Sequence, residues 1–291
     1  MSKISFKAAA SLAITLIFAL SLGVLSACEK EGEKQQTANT KSSLDVIKER
    51  GVLRVAVFAD KYPFGYKDSL GQVQGYDVYF AKRLAKELLG DENKIQYEFV
   101  DPAGRIPILE SDRVDITLAN FTITEERKQK VDFALPYLKT AIGIVSPQSA
   151  LVKSIADLKG KKLLVSKGTT SEDFFRKNHP EVELLAFDQI TEGYQALKDG
   201  RGAGFAQDNT EVLAWARKNA GFQVGIGDIG TVDGIGAAVK KGNTDLLNFI
   251  NKTIEKLAAE RFFHADFEAT LRDAYGADAN PEDLVVEGGK I

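Results

Sequence analysis

The chain has 291 residues, 44% of them apolar, and its 38 Lys and Arg against 41 Asp and Glu give a formal charge of −3. That balance argues against a general nucleic-acid surface, which needs a clear basic excess. The apolar fraction suits a soluble globular protein. The length left after residue 28 is enough for two ordinary domains. Cys28 is the single cysteine, so no internal disulfide is expected and the fold must rest on core packing.

The N-terminus reads first as an export signal. Lys3 and Lys7 precede an apolar run from Ala8 to Leu25, which ends in Leu25-Ser26-Ala27-Cys28. The run approaches membrane-spanning length, so a transmembrane anchor is the competing reading. The ending favours the signal, because it has the form of a bacterial lipobox. In that pattern residues 1–27 are removed and Cys28 carries lipid, with two or more acyl chains making a stable membrane anchor. Residues 28–43 are polar, charged and free of aromatics, and are expected to be a flexible tether.

A short helix over Leu44 to Arg50 follows, with Ser42 as cap and Gly51 as stop. Val52 to Phe58 alternates like a strand. Asp60 to Gly65 is a loop by its Pro and Gly. Tyr76 to Leu89 places Val78, Ala81, Leu84, Ala85 and Leu88 on one helical face. Ile95 to Val100 and Val114 to Ala119 are the next strands, with a short helix over Ile106 to Glu110 between them. After Pro136-Tyr137 the pattern restarts with strands at Ile142–Val145, Leu163–Ser166, Glu183–Phe187 and Ala203–Ala206. Helices over Ile190–Lys198 and Thr210–Asn219 interleave with them. A strand at Ala237–Val239 and helices over Thr244–Ala259 and Ala265–Tyr275 come last. This alternation predicts an α/β architecture with a mostly parallel sheet. Leu284, Val285 and Val286 form a small apolar patch in a polar tail, expected to lie on the surface.

Three stretches carry candidate chemistry. Asn120-Phe121-Thr122-Ile123-Thr124-Glu125-Glu126-Arg127 joins a strand end to a helix start capped by Thr124, with two acids in the first turn. Arg127 can reach back over the strand end, and a guanidinium can grip a carboxylate with two parallel bonds. The spacing equally admits a capped surface helix with a solvated Arg. Ser166 to Ser171 also runs from strand to helix, so the first amides at Thr169 and Thr170 can hold an anion or merely cap the helix. Asp208 ends another strand, where it can hold an ammonium or act as an N-cap. Together a cation, free amides and an acid at three strand ends describe a site for one zwitterion.

Other signals are weak. Gly225 to Gly230 matches G-x-G-x-x-G, but Thr231 to Gly236 after it is too rich in Gly and β-branched residues to start a helix. The segment reads as a hinge or loop. His179 and His264 are the only histidines and have no metal-ligand neighbours at useful spacing, so neither a metal, a cofactor nor a His-based catalytic centre is expected.

Further motifs bring a resemblance into view. They are Asp45-Val46-Ile47-Lys48, Gly75-Tyr76-Asp77-Val78, Val114-Asp115-Ile116, Thr122 to Arg127, Val131-Asp132-Phe133 and Pro136-Tyr137. From about Leu44 to the C-terminus the chain resembles the family 3 polar-amino-acid solute-binding proteins of bacterial ABC importers. Phe64-Gly65-Tyr66, Leu118 to Thr122, Asp208-Asn209-Thr210, Phe262-Phe263-His264 and the ending Glu287 to Ile291 resemble its cysteine-binding lipoproteins more closely.

The resemblance implies a two-lobed periplasmic-binding-protein fold of type II. Residues 44–139 and 234–291 would form lobe 1 and residues 140–233 an inserted lobe 2, with hinge crossovers near 138–142 and 231–236. It implies a monomeric, exported, lipid-anchored receptor that hands its ligand to an ABC permease. Arg127 and the Thr122 N–H would hold the ligand α-carboxylate, with Thr170 and Thr169 adding to it from lobe 2. Asp208 and the Asn120 carbonyl would take the α-ammonium. Phe58, Phe121, Tyr62 and Tyr66 would supply apolar walls, because Pro102 and Lys61 stand where relatives for bulky ligands place aromatics. Arg105 falls where relatives for acidic ligands read a distal carboxylate. L-cysteine is the expected ligand. Glutamate or aspartate, an enzyme such as a dehydratase on the same scaffold, and an adhesin or antigen role are the alternatives.

Overall fold

The computed structural model describes residues 41–291. The expected export signal, Cys28 and all but the end of the expected tether lie outside the described residues. In chain order come α1 (Ser43–Arg50), β1 (Leu53–Val57), β2 (Asp60–Lys61), β3 (Gly65–Lys67), β4 (Val73–Gln74), α2 (Tyr76–Leu89), β5 (Ile95–Phe99), α3 (Arg105–Glu110), β6 (Ile116–Thr117) and α4 (Glu125–Lys128). Then follow β7 (Val131–Pro147), β8 (Lys162–Ser166), α5 (Thr170–Asn178), β9 (Glu183–Phe187), α6 (Ile190–Lys198), β10 (Gly204–Asp208) and α7 (Asn209–Lys218). The chain finishes with β11 (Phe222–Lys240), α8 (Thr244–Ala258), α9 (Phe262–Asp266) and α10 (Arg272–Tyr275).

Eight strands form one sheet in the order β5-β1-β6-β11-β7-β10-β8-β9, and β2, β3 and β4 form a small separate ribbon. The two central strands are the long ones. β7 and β11 run antiparallel through both halves of the sheet. The parallel set β5-β1-β6 joins them where Thr117 pairs with Ala238. The other set joins through β10, which pairs with β7 from Ile142 to Val145 and continues to β8 and β9. The result is the two-part α/β fold the alternation implied.

Buried strands of a parallel set carry near-continuous apolar runs. β1 does so, with Leu53, Val55, Ala56 and Val57 all fully buried. α2 lays its predicted stripe on that strand, and Gly90 ends it in the left-handed conformation at φ 77°. Tyr76, Phe80, Tyr137, Phe262 and Phe263 make the aromatic heart of this half. Val145, Leu164, Leu197, Phe205 and Val212 fill one side of the other half of the sheet, and Leu163, Val165, Phe175 and Ile229 the opposite side. No helix among the described residues is long and apolar enough to cross a membrane.

Several expectations need correction. The stretch from Gly225 to Gly236, expected as a loop, belongs to β11. Its glycines are compatible with a strand because the pairing with β7 slips repeatedly, with irregularities between Val224 and Ile226, Ile226 and Ile229, and Ile229 and Asp233. Close approach adds to this, since a Cβ on Gly225 would come within 2.0 Å of the Val152 carbonyl oxygen. Likewise Pro136 does not break the chain. It sits opposite Gly236 between two further slips, where no ladder hydrogen bond is needed, and β7 runs through it. The segment expected as one strand over Val114 to Ala119 pairs only at Ile116 and Thr117. The last helix is interrupted by a π turn over Phe267 to Leu271. The tail patch is buried: Val285 bridges to Leu138 and joins the core.

Candidate ligand-binding site

The strand ends of both halves meet around a small, tightly closed chamber. Phe58, Lys61, Pro102, Arg105, Thr122, Arg127, Thr169, Thr170 and Asp208 line it. Of the residues singled out from sequence, Phe58, Arg105, Thr122, Arg127, Thr169, Thr170 and Asp208 are therefore brought together. Asn120, Phe121 and Tyr62 stand outside the lining.

Arg127 arrives there because Thr124 caps α4, its hydroxyl accepting from the Arg127 N–H at 3.2 Å. The guanidinium turns back over the strand end. Nη1 donates to the Thr122 carbonyl at 2.8 Å, and Nη2 to the Gly168 carbonyl of the other half at 3.0 Å. Two of its five N–H donors are thus engaged and three remain. The Thr122 N–H is also uncommitted by local geometry. Thr122 bridges Ile235, and the flanking bonds run from Ile123 to Gly234 and from Gly236 to Phe121. Thr170 opens α5, where the first amides have no partner within the helix. The Thr169 hydroxyl serves as cap, accepting from the Glu172 N–H at 3.2 Å.

Arg105 is bound differently. Nε donates to the Pro102 carbonyl at 2.9 Å, Nη1 to Ala119 at 3.3 Å and Asn120 at 3.1 Å, and Nη2 to Gly168 at 2.9 Å. Four of its five donors hold backbone. The Asn120 carbonyl, implied as an acceptor for a ligand ammonium, is already occupied by this arginine. Asn120 itself sits at φ 42° with its N–H donated to Asp77 at 2.7 Å. Asp77 also accepts from the Tyr137 hydroxyl at 2.6 Å. Burial raises the Asp77 carboxyl to about 6, although those two hydrogen bonds pull it down.

Both guanidiniums lie over the Phe121 ring, Arg105 at 4.4 Å and Arg127 at 4.8 Å from its centroid. Phe121 is a platform beneath the cations; each such contact is worth about 0.5–2 kcal/mol. Neither arginine has a carboxylate within ion-pair distance among the described residues. Burial lowers the pKa of Arg127, and burial together with Arg127 lowers that of Arg105 well below its usual value. An arginine stays charged regardless, and Asp208 and Asp173 act on both from beyond ion-pair distance.

Glu211 escaped the sequence reading, and Lys61, placed there only as a substitute for an aromatic wall, was not expected to pair with acids. Lys61 is 2% exposed, and its ammonium lies 2.7 Å from Asp208 and 3.2 Å from Glu211. Asp208 begins α7 without capping it through its side chain, so the cap alternative does not hold there. Burial pulls the Lys61 pKa down, but the two carboxylates outweigh it and the net shift is upward. Burial raises Glu211 to about 7 against the pull of Lys61. The available signal was the spacing of Asp208 and Glu211, which puts both on one helical face. Tyr62 stacks edge-on with Tyr66 at 4.9 Å and carries the Lys218 ammonium 3.6 Å above its ring, in a neighbouring cavity.

Gly168 brings the two halves together. Its φ is 74°, and a Cβ there would lie 2.7 Å from the Ala103 Cα. Only a residue without a side chain lets this loop approach Arg105 and Arg127 so closely.

Comparison with known proteins identifies the family and the fold. Residues 53–265 match the family described as bacterial extracellular solute-binding proteins, family 3. The fold superposes on a cysteine-binding protein from Campylobacter jejuni with a TM-score of 0.84 and 47% identity, covering 85% of this chain and all of that one. A solute receptor for L-cysteine of Neisseria gonorrhoeae gives 0.83 and 49%, covering 84% of this chain and 99% of that one. An ABC transporter glutamine-binding protein of Bacillus subtilis is 35% identical over 267 residues, 90% of this chain and 97% of the relative.

Proposed function

The chain belongs to family 3 of the bacterial extracellular solute-binding proteins, and from that premise we propose that it captures L-cysteine for an ABC importer. The observation that carries this reading is the unequal commitment of the two buried arginines. Arg127 keeps three free donors beside the free amides of Thr122 and Thr170, which suits an α-carboxylate. Asp208 stands across the chamber for the α-ammonium. Arg105 keeps one free donor, too few for the bidentate grip that a glutamate or aspartate side chain requires. The remaining walls, Phe58 and Pro102, suit a short, soft side chain. The high identity to two cysteine receptors supports the same choice.

The proposed role is capture rather than turnover. Residues 140–233 act in it as the inserted lobe that closes over the ligand, and lipid on Cys28 holds the receptor at the cell envelope. Cysteine has about seven heavy atoms, and a ceiling of about 1.5 kcal/mol per atom limits its affinity to about tens of nanomolar. Only complete enclosure approaches that limit. Thermal unfolding with a panel of amino acids under reducing conditions tests the reading. L-cysteine at about a hundred times its dissociation constant should add about 2.7 kcal/mol of stability. A shift with glutamate or aspartate and none with L-cysteine would sink it.

A further inference from the structure

Lys61 stands at a partition. On one side lies the chamber, which it lines with Phe58, Arg105 and Asp208. On the other lies a wider cavity of about 400 Å3, open to solvent and lined by Glu211, Tyr194, Trp215 and Tyr62 among others. Asp208 belongs to the first space and Glu211 to the second, and the Lys61 ammonium touches both, at 2.7 Å and 3.2 Å. The three side chains are 7% exposed or less. Lys61 comes from β2, whereas both acids come from the opposite half, at the end of β10 and the start of α7.

The acids exceed what one lysine satisfies. Neither Glu211 carboxylate oxygen has a hydrogen-bond partner among the described residues, and the nearby Tyr194 hydroxyl has none either. A buried carboxylate in that condition is held chiefly by the Lys61 charge, with the Tyr194 hydroxyl close by as a lesser influence. The two acids lie close enough for one ammonium to reach both, a separation that a short diamino acid can span with its two nitrogens.

We infer that Lys61 sets the ligand class of this site, its ammonium standing where the distal cation of a basic amino acid would otherwise bind and its stem closing the passage to the Glu211 cavity. The inference rests on the proposed amino-acid chamber. Discrimination of this kind works by repulsion and exclusion: a ligand with a second ammonium or guanidinium meets Lys61 and finds no room. A short uncharged side chain meets neither obstacle. Truncation of Lys61 joins chamber and cavity and leaves Asp208 and Glu211 as two buried acids lacking a cation. The α-ammonium of ornithine or lysine then pairs with Asp208 and the distal ammonium with Glu211.

The test is calorimetric titration of wild type, Lys61→Ala and Lys61→Ala/Glu211→Gln with L-cysteine, L-ornithine and L-lysine. Lys61→Ala should gain at least a hundredfold in affinity for ornithine or lysine over wild type. The double variant, which loses the second acceptor, should not. Because two unpaired buried acids weaken Lys61→Ala, its thermal unfolding is also followed with ornithine and with n-propylammonium. Both should raise its melting temperature and leave that of wild type unchanged. The inference is overturned if neither compound stabilises Lys61→Ala more than wild type, or if the double variant gains basic ligands as strongly as the single one. A wild type that ignores cysteine while Lys61→Ala still gains ornithine defeats the proposed ligand and leaves this inference standing.

Discussion

Two arginines meet over one phenylalanine ring, and the difference between them explains the site. Arg127 and Arg105 are both buried, both stack on Phe121 and both donate to the Gly168 carbonyl. Arg105 gives its other bonds to Pro102, Ala119 and Asn120, so it stitches together the loop after β5 and the loop after β6. Arg127 gives only one more bond, to Thr122, and leaves the rest of its fork uncommitted. On the proposed function, identical chemistry thus serves support in one place and recognition in the other. The number of donors left over decides which.

The largest effect expected from that contrast is on affinity at Arg127. Arg127→Met should weaken cysteine binding by about 3–5 kcal/mol, a hundred- to several-thousandfold, since the ligand carboxylate is left buried without its cation. Stability of the ligand-free protein should barely change, because a strained buried charge is removed along with two bonds. Titration calorimetry and ligand-free melting separate the two readouts, and retention of affinity within tenfold would break the comparison. Arg105→Met should reverse the pattern. Four carbonyls lose their donor, and although loss of a buried charge offsets part of this, a net destabilisation of about 2–4 kcal/mol is expected. Denaturant unfolding without ligand measures it. A larger affinity loss here than at Arg127 would show that the roles are exchanged.

Gly168→Ala comes next. A left-handed backbone costs alanine about 1–2 kcal/mol. The added Cβ also meets Ala103 at 2.7 Å and keeps the shared carbonyl from both arginines. Affinity should fall by about tenfold or more while the separate halves stay folded, as seen by circular dichroism alongside titration.

A further effect, on stability rather than affinity, is a pH profile at Glu211, whose carboxyl is raised to about 7 by burial from the usual 4.5. Between those values the folded protein holds a proton that the unfolded chain releases, so this group's contribution to stability falls as pH rises from about 4.5 to about 7. Glu211→Gln removes that dependence. The stability of the variant relative to wild type should therefore increase across the window, by up to about 3 kcal/mol. A flat difference curve would refute the assigned shift.

The same contrast shows what a sequence makes legible. Elements built from local periodicity were readable: α2 over Tyr76–Leu89, β9 over Glu183–Phe187 and α6 over Ile190–Lys198 stand where the apolar spacing puts them. The Thr124 cap that carries Arg127 was readable for the same reason, being three residues from its donor, the Arg127 N–H. β11 was not, because its glycines are selected by what lies across the sheet at each slip in register rather than by strand propensity. Lys61 was not, because its burial depends on an acid 147 residues away. Nor was the commitment of Arg105, whose acceptors are carbonyls that every residue possesses. The fold and the Arg127 corner were thus open to local reasoning, and the Lys61 corner is built by long-range contacts.

The Gly168 carbonyl has a consequence for timing. One oxygen of the second half accepts from both arginines of the first. On the proposed function, the donors that hold it differ from the three that Arg127 would keep for a ligand, so docking would break no bond that this contact makes. Capture and latching would then be separate events, and the latch would be blind to the cargo. Any molecule small enough to let Gly168 seat would be shut in equally well, so the residence time of a poor ligand would differ from that of a good one only through the bonds inside the chamber.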